Sequence, residues 1–203
     1  MVYFCAMTKG ARTREQIIES TAHLFNTKGF DGTSLADLCE ATGLTKGALY
    51  GNFENKEELS VAAFHYTIGR MRSAADLSIS AQTTNKKKLI AFLDFFTRYV
   101  FHPPVKGGCP LLNTAVEADD YRTSMKKIVA AELDRTVSFM VTTIEAGKKA
   151  GEFKPEIKAR ELALFFFCSI EGAIMFSRVS SSEEAIKAVV KQVKAMVEEF
   201  SLT

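Results

Sequence analysis

The residue best suited to covalent chemistry in this chain is Cys109, which lies in a Gly-Gly-Cys-Pro segment. Pro110 suits the first position of a helix, so Cys109 is expected at the helix cap, near the positive end of the dipole. That position and the nearby Lys106 would lower the pKa of the thiol and raise its reactivity. The competing interpretation, which we favour because reactivity requires exposure, is a small structural residue after a glycine turn.

Other patterns for catalysis or metal binding are weak. The 203 residues include three histidines, and no Ser/His/Asp order, phosphate loop or paired-carboxylate pattern is visible. The four cysteines lie far apart without C-x-x-C spacing, and the acidic segment at Glu117 has no neighbouring histidine. We therefore predict no metal, no cofactor and no enzyme activity. A thiol-dependent enzyme or a redox or electrophile sensor using Cys109 is the alternative function.

A second group of residues suggests binding rather than catalysis. Residues 33–53 read TSLADLCEATGLTKGALYGNF, with two short helical patterns on either side of Gly43. Ser34 and Asp37 have the spacing of a capping box, and glycine supplies a left-handed turn. With Leu49 directed to a small core, this pattern predicts a helix-turn-helix.

The second helix of this pair has an outward face without acidic residues. Gly47 inside a helix costs roughly 0.8–1 kcal/mol relative to alanine. Lys56, in the first turn of the following helix, opposes the helix dipole by about 0.3–1 kcal/mol. Both residues would be favourable in contact with DNA, because a groove can approach the backbone closely at Gly47 and a phosphate can pair with the Lys56 cation. The predicted outward positions are Thr45, Lys46, Gly47, Ala48, Tyr50 and Asn52.

The elements that must position these residues are helical. Helical periodicity covers most of the chain, and no strand alternation is found. We predict an all-α fold of about nine helices, with an N-terminal three-helix helix-turn-helix head and a C-terminal helical ligand-binding and dimerisation domain. Residues 11–71 are assigned to the DNA-binding domain, with the recognition motif at about 34–53, and residues 72–203 to the effector-binding and dimerisation domain.

The N-terminal segment resembles the tetracycline-repressor (TetR) family. The resemblance rests on A-x-x-L-F-x-x-K-G-F-x-G-T-S, A-T-G-L-T-K-G-A-L-Y-x-N-F and N-K-E-E-L between about residues 11 and 70. It implies that the third helix enters the major groove. The base-proximal residues would then be Lys46, Gly47, Ala48 and Asn52, and the phosphate contacts would be Thr33, Thr45, Tyr50 and Lys56. Asn52 departs from the family pattern, so base preference is expected to differ.

The resemblance also implies a cavity for a small apolar or cationic effector. Most of the aromatic residues in the middle of the chain are nevertheless assigned to core packing. The pocket candidates are His65, Tyr66, Phe96, Tyr99, Cys109, Phe139, Phe166 and Met175. A homodimer is expected through residues 161–179 and 186–200, with Phe167 and Val193 at its interface.

Charge and hydropathy set the expected partners and location. The net charge is only +2, and the first 60 residues contain six basic and eight acidic residues, so no global basic field favours DNA. A local patch and two copies would therefore be needed. The apolar run at 162–170 is about half the length that a bilayer requires, and we predict a cytoplasmic protein without membrane contact. The expected function is that of a ligand-responsive transcriptional repressor, released from a near-palindromic operator by a small molecule.

Overall fold

The computed structural model describes residues 9–120 and 122–202 and contains nine helices and no strands within them. Cys5 lies outside the described residues. This architecture confirms the predicted all-α fold. The helices are α1 Lys9–Gly32, α2 Leu35–Thr42, α3 Lys46–Tyr50, α4 Lys56–Ile79, α5 Asn85–Tyr99, α6 Pro110–Ala118, α7 Thr123–Lys149, α8 Ala159–Ser180 and α9 Glu184–Phe200.

Local signals set the helix ends near the N-terminus. Gly29 has φ 73° and interrupts α1 near its C-terminal end. Ser34 caps α2, and its side chain and that of Asp37 form the reciprocal capping box that the sequence predicts. Gly43 ends α2 with φ 67°, in the left-handed conformation that glycine adopts without strain.

The sequence N-K-E-E at residues 55–58 predicts a capping box at the start of α4, and the structure differs from it. Asn55 caps the helix and accepts a hydrogen bond from the Glu58 N–H at 2.9 Å. The Glu58 carboxylate, however, accepts from the Glu54 N–H at 2.7 Å and from Arg14 at 2.6 Å. The predicted reciprocal bond is therefore replaced by contacts that tie α4 to α1.

Two hydrophobic clusters divide the fold. A small one lies under α1, α2, α3 and the start of α4, and its buried members are Ile17, Leu38, Leu49, Phe53 and Leu59. A larger one begins at Phe64 and continues to Phe200 in α9, and the helices that surround it form the body of the protein. Because α4 contributes to both clusters, the domain boundary predicted at residue 71 falls inside a continuous helix.

Helix α8 is longer than the apolar run suggested. Its 22 residues are long and apolar enough, by length and composition alone, to cross a membrane. In this fold, however, α8 packs against α7 and α9, with Ala163, Phe166 and Ile170 buried. We therefore interpret α8 as a core helix of the body.

Candidate DNA-binding and ligand-binding sites

Helix α3 presents its polar face outward from the small cluster. Thr45 caps it by accepting a hydrogen bond from the Ala48 N–H at 3.2 Å. Leu49 is fully buried beneath the helix, whereas Lys46, Gly47 and Ala48 are exposed. The first turn contains no acidic residue. Three of the four residues predicted near the bases thus lie together on one accessible surface.

Packing within the chain does not require glycine at position 47. A Cβ atom built on Gly47 would meet no heavy atom within 4 Å. Its backbone is not among those with positive φ. The lower helix propensity of glycine is therefore not offset by any contact among the described residues.

Three other predicted contact residues have partners within the head. Thr33 is fully buried, and its hydroxyl donates to the Gly29 carbonyl at 2.6 Å, so we exclude it as a side-chain phosphate contact. Tyr50 is half-buried against the small cluster. The Asn52 amide donates to the Ala48 carbonyl at 2.9 Å, so pairing with a base would require this amide to turn outward.

Lys56 has an internal partner that the sequence did not reveal. Its Nζ lies 4.2 Å from the centroid of the Phe30 ring. Such a cation–π contact contributes about 0.5–1 kcal/mol at exposed sites, which offsets part of the unfavourable interaction with the helix dipole. The side chain is half-buried. Lys56 therefore has a structural role, and this role adds to any contact with phosphate.

Two of the eight predicted pocket residues share one cavity. Phe96 and Phe139 line a space of about 210 Å³ between α4, α5 and α7. Arg72 and Arg135 lie at its edge, and most of the remaining surface is apolar. The other lining residues are Met71, Ala75, Asp76, Ile79, Phe92, Phe95 and Thr136.

His65 and Tyr66 lie outside this cavity, against expectation. His65 is half-exposed, with Nδ1 3.9 Å from Glu132 Oε1. The Tyr66 hydroxyl donates to Glu19 on α1 at 3.1 Å. Both side chains contact polar partners on neighbouring helices, because successive residues of α4 face α7 and α1 rather than its cavity side.

Three further candidates also occupy other environments. Phe166 is fully buried and stacks on Phe200, so it belongs to the core between α8 and α9. Met175 is 53% exposed on the outer face of α8. Tyr99 is buried, and its hydroxyl donates to the Gly108 carbonyl at 3.3 Å. Burial raises the pKa of Tyr99 far above its ordinary value.

Cys109 occupies the cap position of α6 as predicted, but the hypothesis that this position lowers the pKa of its thiol is wrong. The residue is 1% exposed, and burial, followed by the charge of Glu171, raises the pKa of the thiol well above its ordinary value. Desolvation of the thiolate outweighs the nearby helix N–H groups. Cys168 is exposed, and Cys39 is partly exposed.

Glu171 is a site residue that sequence reasoning missed. Its Oε1 accepts a hydrogen bond from Cys109 Sγ at 3.0 Å, whereas its buried Oε2 has no hydrogen-bond partner among the described residues. Burial raises the pKa of this carboxyl to about 7. The sequence does offer one signal for this site, which is a single acidic residue in the middle of the apolar helix α8.

Glu117 joins the body to the head. Its carboxylate accepts hydrogen bonds from the backbone N–H groups of Phe30 at 2.7 Å and Asp31 at 2.9 Å. Arg122 lies 3.9 Å from the Phe30 ring centroid and pairs with Glu57 on α4 at 2.6 Å. The end of α1 is thus held by α6 and by the start of α7.

A second polar contact links α1 to the loop before α6. The Asn26 amide donates to the carbonyls of Lys106 and Gly108, each at 3.2 Å. The Asn113 amide of α6 donates back to the Asn26 carbonyl at 2.9 Å. These hydrogen bonds connect α1 to α6 and to the loop that precedes it.

Helix α8 also carries an exposed apolar face. Its members are Leu164, Phe165, Cys168, Met175, Phe176 and Val179. Large contiguous apolar patches of this kind mark interaction surfaces. Phe167 and Val193, the positions predicted at the dimer interface, are instead buried in the body at 8% and 1% exposure. Because α8 is apolar all round, its sequence did not distinguish these two faces.

A small head with an exposed helix-turn-helix, joined to a helical body, defines a DNA-binding protein of the helix-turn-helix class. Residues 17–63 match the family described as bacterial regulatory proteins, tetR family. Residues 86–193 match the tetracyclin repressor-like C-terminal domain. The chain belongs to the TetR family of transcriptional regulators.

Similar proteins agree with this assignment over nearly the whole chain. A TetR-family transcriptional regulator from Cytophaga hutchinsonii is 36% identical, with 97% of this chain and 98% of that chain covered and a TM-score of 0.90. A TetR regulator from Chloroflexus aurantiacus is 35% identical, with 96% and 98% covered and a TM-score of 0.92. The Escherichia coli transcriptional repressor ComR is 26% identical over 183 residues, which cover 87% of this chain and 84% of ComR.

Proposed function

We propose that this protein is a ligand-responsive transcriptional repressor that acts in the cytoplasm. A homodimer binds a near-palindromic operator, and a small molecule releases it. Residues 11–71 bind DNA, and residues 72–203 bind the effector and form the dimer. The observation that carries the proposal is the exposed, acid-free first turn of α3, where Gly47 has no packing role within the chain.

The proposed DNA contacts follow from this surface. Lys46, Gly47 and Ala48 lie near the base edges, and Asn52 joins them if its amide turns away from the α3 carbonyl. The proposed phosphate contacts are Thr45, Tyr50 and Lys56. Phosphate contacts fix the position of a protein on DNA, whereas base contacts determine sequence preference.

The exposed apolar face of α8 supports the dimer. Phe176 is 61% exposed and Val179 is 85% exposed, and neither is covered by the described chain. In the adjacent helix α9, the exposed positions include the small residue Ala188, which permits close helix approach. Two copies joined here would present two heads, and dimers of this kind bind half-sites roughly 34–36 Å apart.

The cavity with Phe96 and Phe139 is the proposed site for an apolar effector. It lies between α4, α5 and α7, and α4 continues into the head. Ligand binding there would favour an arrangement of these helices in which α6 and α4 hold α1 at a different angle. The two heads would then no longer match the operator spacing, which is a shift between populated conformations.

The alternative of a thiol enzyme or electrophile sensor loses its physical basis. Members of the family are transcriptional regulators rather than enzymes. The Cys109 thiol is buried and its pKa is raised, so little nucleophilic thiolate forms at neutral pH. The repressor therefore remains the proposed function.

The proposal is tested by a gel-shift titration against the DNA upstream of the protein's own gene. The wild type should retard this fragment in the presence of excess unrelated duplex. Lys46→Ala should weaken binding at least ten-fold, whereas the control Lys127→Ala, on the exposed surface of α7, should leave it unchanged. Equal retardation of specific and unrelated DNA, or equal binding by the two variants, would contradict the proposal.

A further inference from the structure

We propose that Arg14 of α1 is a positioning residue for operator recognition, a role that rests on the proposed DNA-binding function. Its guanidinium holds the C-terminal end of α3 against α1 and α4, and it does not itself contact a phosphate. The first turn of α3 thereby keeps the orientation in which Lys46, Gly47 and Ala48 can enter a groove together.

The Arg14 side chain joins three segments of the head. Its Nη1 donates a hydrogen bond to the Asn52 carbonyl, just after α3, and its Nη2 donates to Glu58 Oε1 on α4 at 2.6 Å. The guanidinium carbon lies 3.9 Å from the centroid of the buried Phe53 ring. A planar guanidinium, with several donors in a fixed fork, can make these contacts at once, whereas an ammonium group cannot.

Helix α3 depends on such contacts for its orientation. It has five residues, and isolated helices of this length are not stable in water. Leu49 is its buried residue, and the N–H groups of Asn52 and Phe53 donate to the Leu49 carbonyl at 3.1 and 3.3 Å. Arg14 holds the same segment at the Asn52 carbonyl and at the Phe53 ring. The burial of Leu49 and the contacts of Arg14 therefore set the angle of the helix together.

Glu58 supplies the fixed end of this arrangement. Its Oε2 accepts a hydrogen bond from the Glu54 N–H at 2.7 Å, and its own N–H donates to the Asn55 cap of α4 at 2.9 Å. The Glu54 N–H, followed by Arg14, lowers the pKa of the Glu58 carboxyl, so this group is ionised at neutral pH. One carboxylate thus links Arg14 to the turn between α3 and α4.

The positive charge of Arg14 would also suit a phosphate contact, but the contacts within the head oppose this alternative. Both terminal nitrogens donate within the chain, and the charge is paired with Glu58. A phosphate would have to replace this carboxylate. The two roles make opposite predictions for a variant that weakens the ion pair, because such a variant frees a phosphate contact but loosens a positioning contact.

A role in folding stability alone is the second alternative. The side chains of Arg14 and Glu58 are 38% and 37% exposed, and exposed ion pairs contribute little to folding. Loss of Arg14 should therefore disturb the orientation of α3 more than the stability of the fold. Orientation matters most for the base contacts that determine sequence preference, and less for binding to phosphates of any sequence.

The test compares binding to the DNA fragment upstream of the protein's own gene with binding to an unrelated duplex of the same length. Both affinities are measured by fluorescence anisotropy at several salt concentrations. Arg14→Lys, which keeps the charge, should bind the upstream fragment roughly ten-fold or more weakly and the unrelated duplex as wild type does. The control Arg70→Lys, at an exposed position of α4, should change neither affinity.

Glu58→Gln is the variant for which the two roles predict opposite results. It should weaken binding to the upstream fragment, because the amide nitrogen of glutamine cannot accept the hydrogen bond that one carboxylate oxygen accepts now. If Arg14 were a phosphate contact, the same change would release it and raise the affinity. Wild-type affinity of Arg14→Lys for the upstream fragment, equal losses on both duplexes, or tighter binding by Glu58→Gln would overturn the proposal.

A measurement without DNA decides the proposal even if the wild type shows no preference for the upstream fragment, a result that would contradict the proposed function. Hydrogen exchange at the amides of residues 46–52 should be faster in Arg14→Ala than in wild type, whereas exchange in α7 should be unchanged. Unchanged exchange at residues 46–52 would overturn the positioning role, and so would an equal acceleration in α7, which would indicate a general loss of stability.

Discussion

Replacing Gly47 by alanine should separate stability from DNA binding. The methyl group would enter open space, since no heavy atom lies within 4 Å of the position that the new Cβ would take, and the backbone needs no positive φ. A gain in folding stability is therefore expected together with a loss of operator affinity. Few substitutions combine these two effects, because most changes that harm binding are neutral or destabilising.

The magnitudes follow from helix propensity and from close packing. Alanine exceeds glycine by up to about 1 kcal/mol in a helix interior, which corresponds to roughly 2–4 °C in Tm for a chain of this size. At the DNA surface, a methyl group in a closely packed contact costs typically about 1–3 kcal/mol. We therefore expect about a ten-fold or larger loss of operator affinity.

The assay combines thermal unfolding followed by circular dichroism with fluorescence anisotropy on labelled operator. Gly69→Ala is a matched control, because Gly69 is also an exposed helical glycine with no heavy atom near its Cβ position. It lies 13 residues beyond Lys56 in α4, about 20 Å along the helix, and away from the proposed DNA surface. Gly69→Ala should raise Tm without changing affinity. Wild-type operator affinity in Gly47→Ala would refute close backbone approach at this position.

Four further outcomes are expected. Lys56→Ala should flatten the dependence of log K on log salt by about one phosphate contact, and an unchanged slope would remove Lys56 from the phosphate contacts. Phe176→Lys should convert the dimer to a folded monomer in analytical ultracentrifugation, because this side chain is exposed in the monomer; an intact dimer would exclude the α8 face. Glu171 has its pKa raised from 4.5 to about 7, so its ionisation disfavours the fold as pH rises through this interval. Glu171→Gln should therefore gain up to about 3 kcal/mol of stability relative to wild type between pH 4.5 and 8 in denaturant titrations, and a constant difference would contradict the burial argument. Cys109 should react with iodoacetamide much more slowly in the folded protein than in denaturant, as followed by mass spectrometry, and equal rates would show that the thiol is accessible.

The pH dependence of Glu171 involves few neighbouring groups. The ionisable side chains that act with it are the Cys109 thiol at the start of α6 and the Tyr99 phenol of α5. Both the thiol and the phenol have raised pKa values and stay neutral across this interval. The carboxyl group of Glu171 is therefore the one among them that changes charge between pH 4.5 and 8.

Features set by local chemistry could be predicted from the sequence. The capping box at Ser34 and Asp37, the left-handed Gly43 and the helix start at Pro110 each depend on residues within a few positions of one another. Turn and cap geometry is dictated by such short-range contacts. The exposed first turn of α3 follows from the same signals, since Leu49 is buried and Lys46, Gly47 and Ala48 precede it on the outer surface.

Features set by distant contacts could not be predicted. Cys109 contacts Glu171, which lies 62 positions later in the sequence. Burial and this contact raise the pKa of the thiol, whereas the local sequence predicts a lowered pKa. Glu117 meets the Phe30 N–H across 87 positions, so its role in joining head and body was invisible in the chain order. Apolar residues surround α8 on all sides, which is why Phe167 was assigned to the wrong face.

The central claim, that two copies of α3 bind DNA together, is tested most directly by selecting bound sequences from a pool of randomised duplexes. The full-length protein should enrich a near-palindrome whose half-site centres are about one helical turn, 10–10.5 base pairs, or a multiple of it apart. Gly47→Ala should fail to enrich this sequence under the same conditions. Enrichment of an asymmetric single site, or no enrichment above the starting pool, would contradict the account.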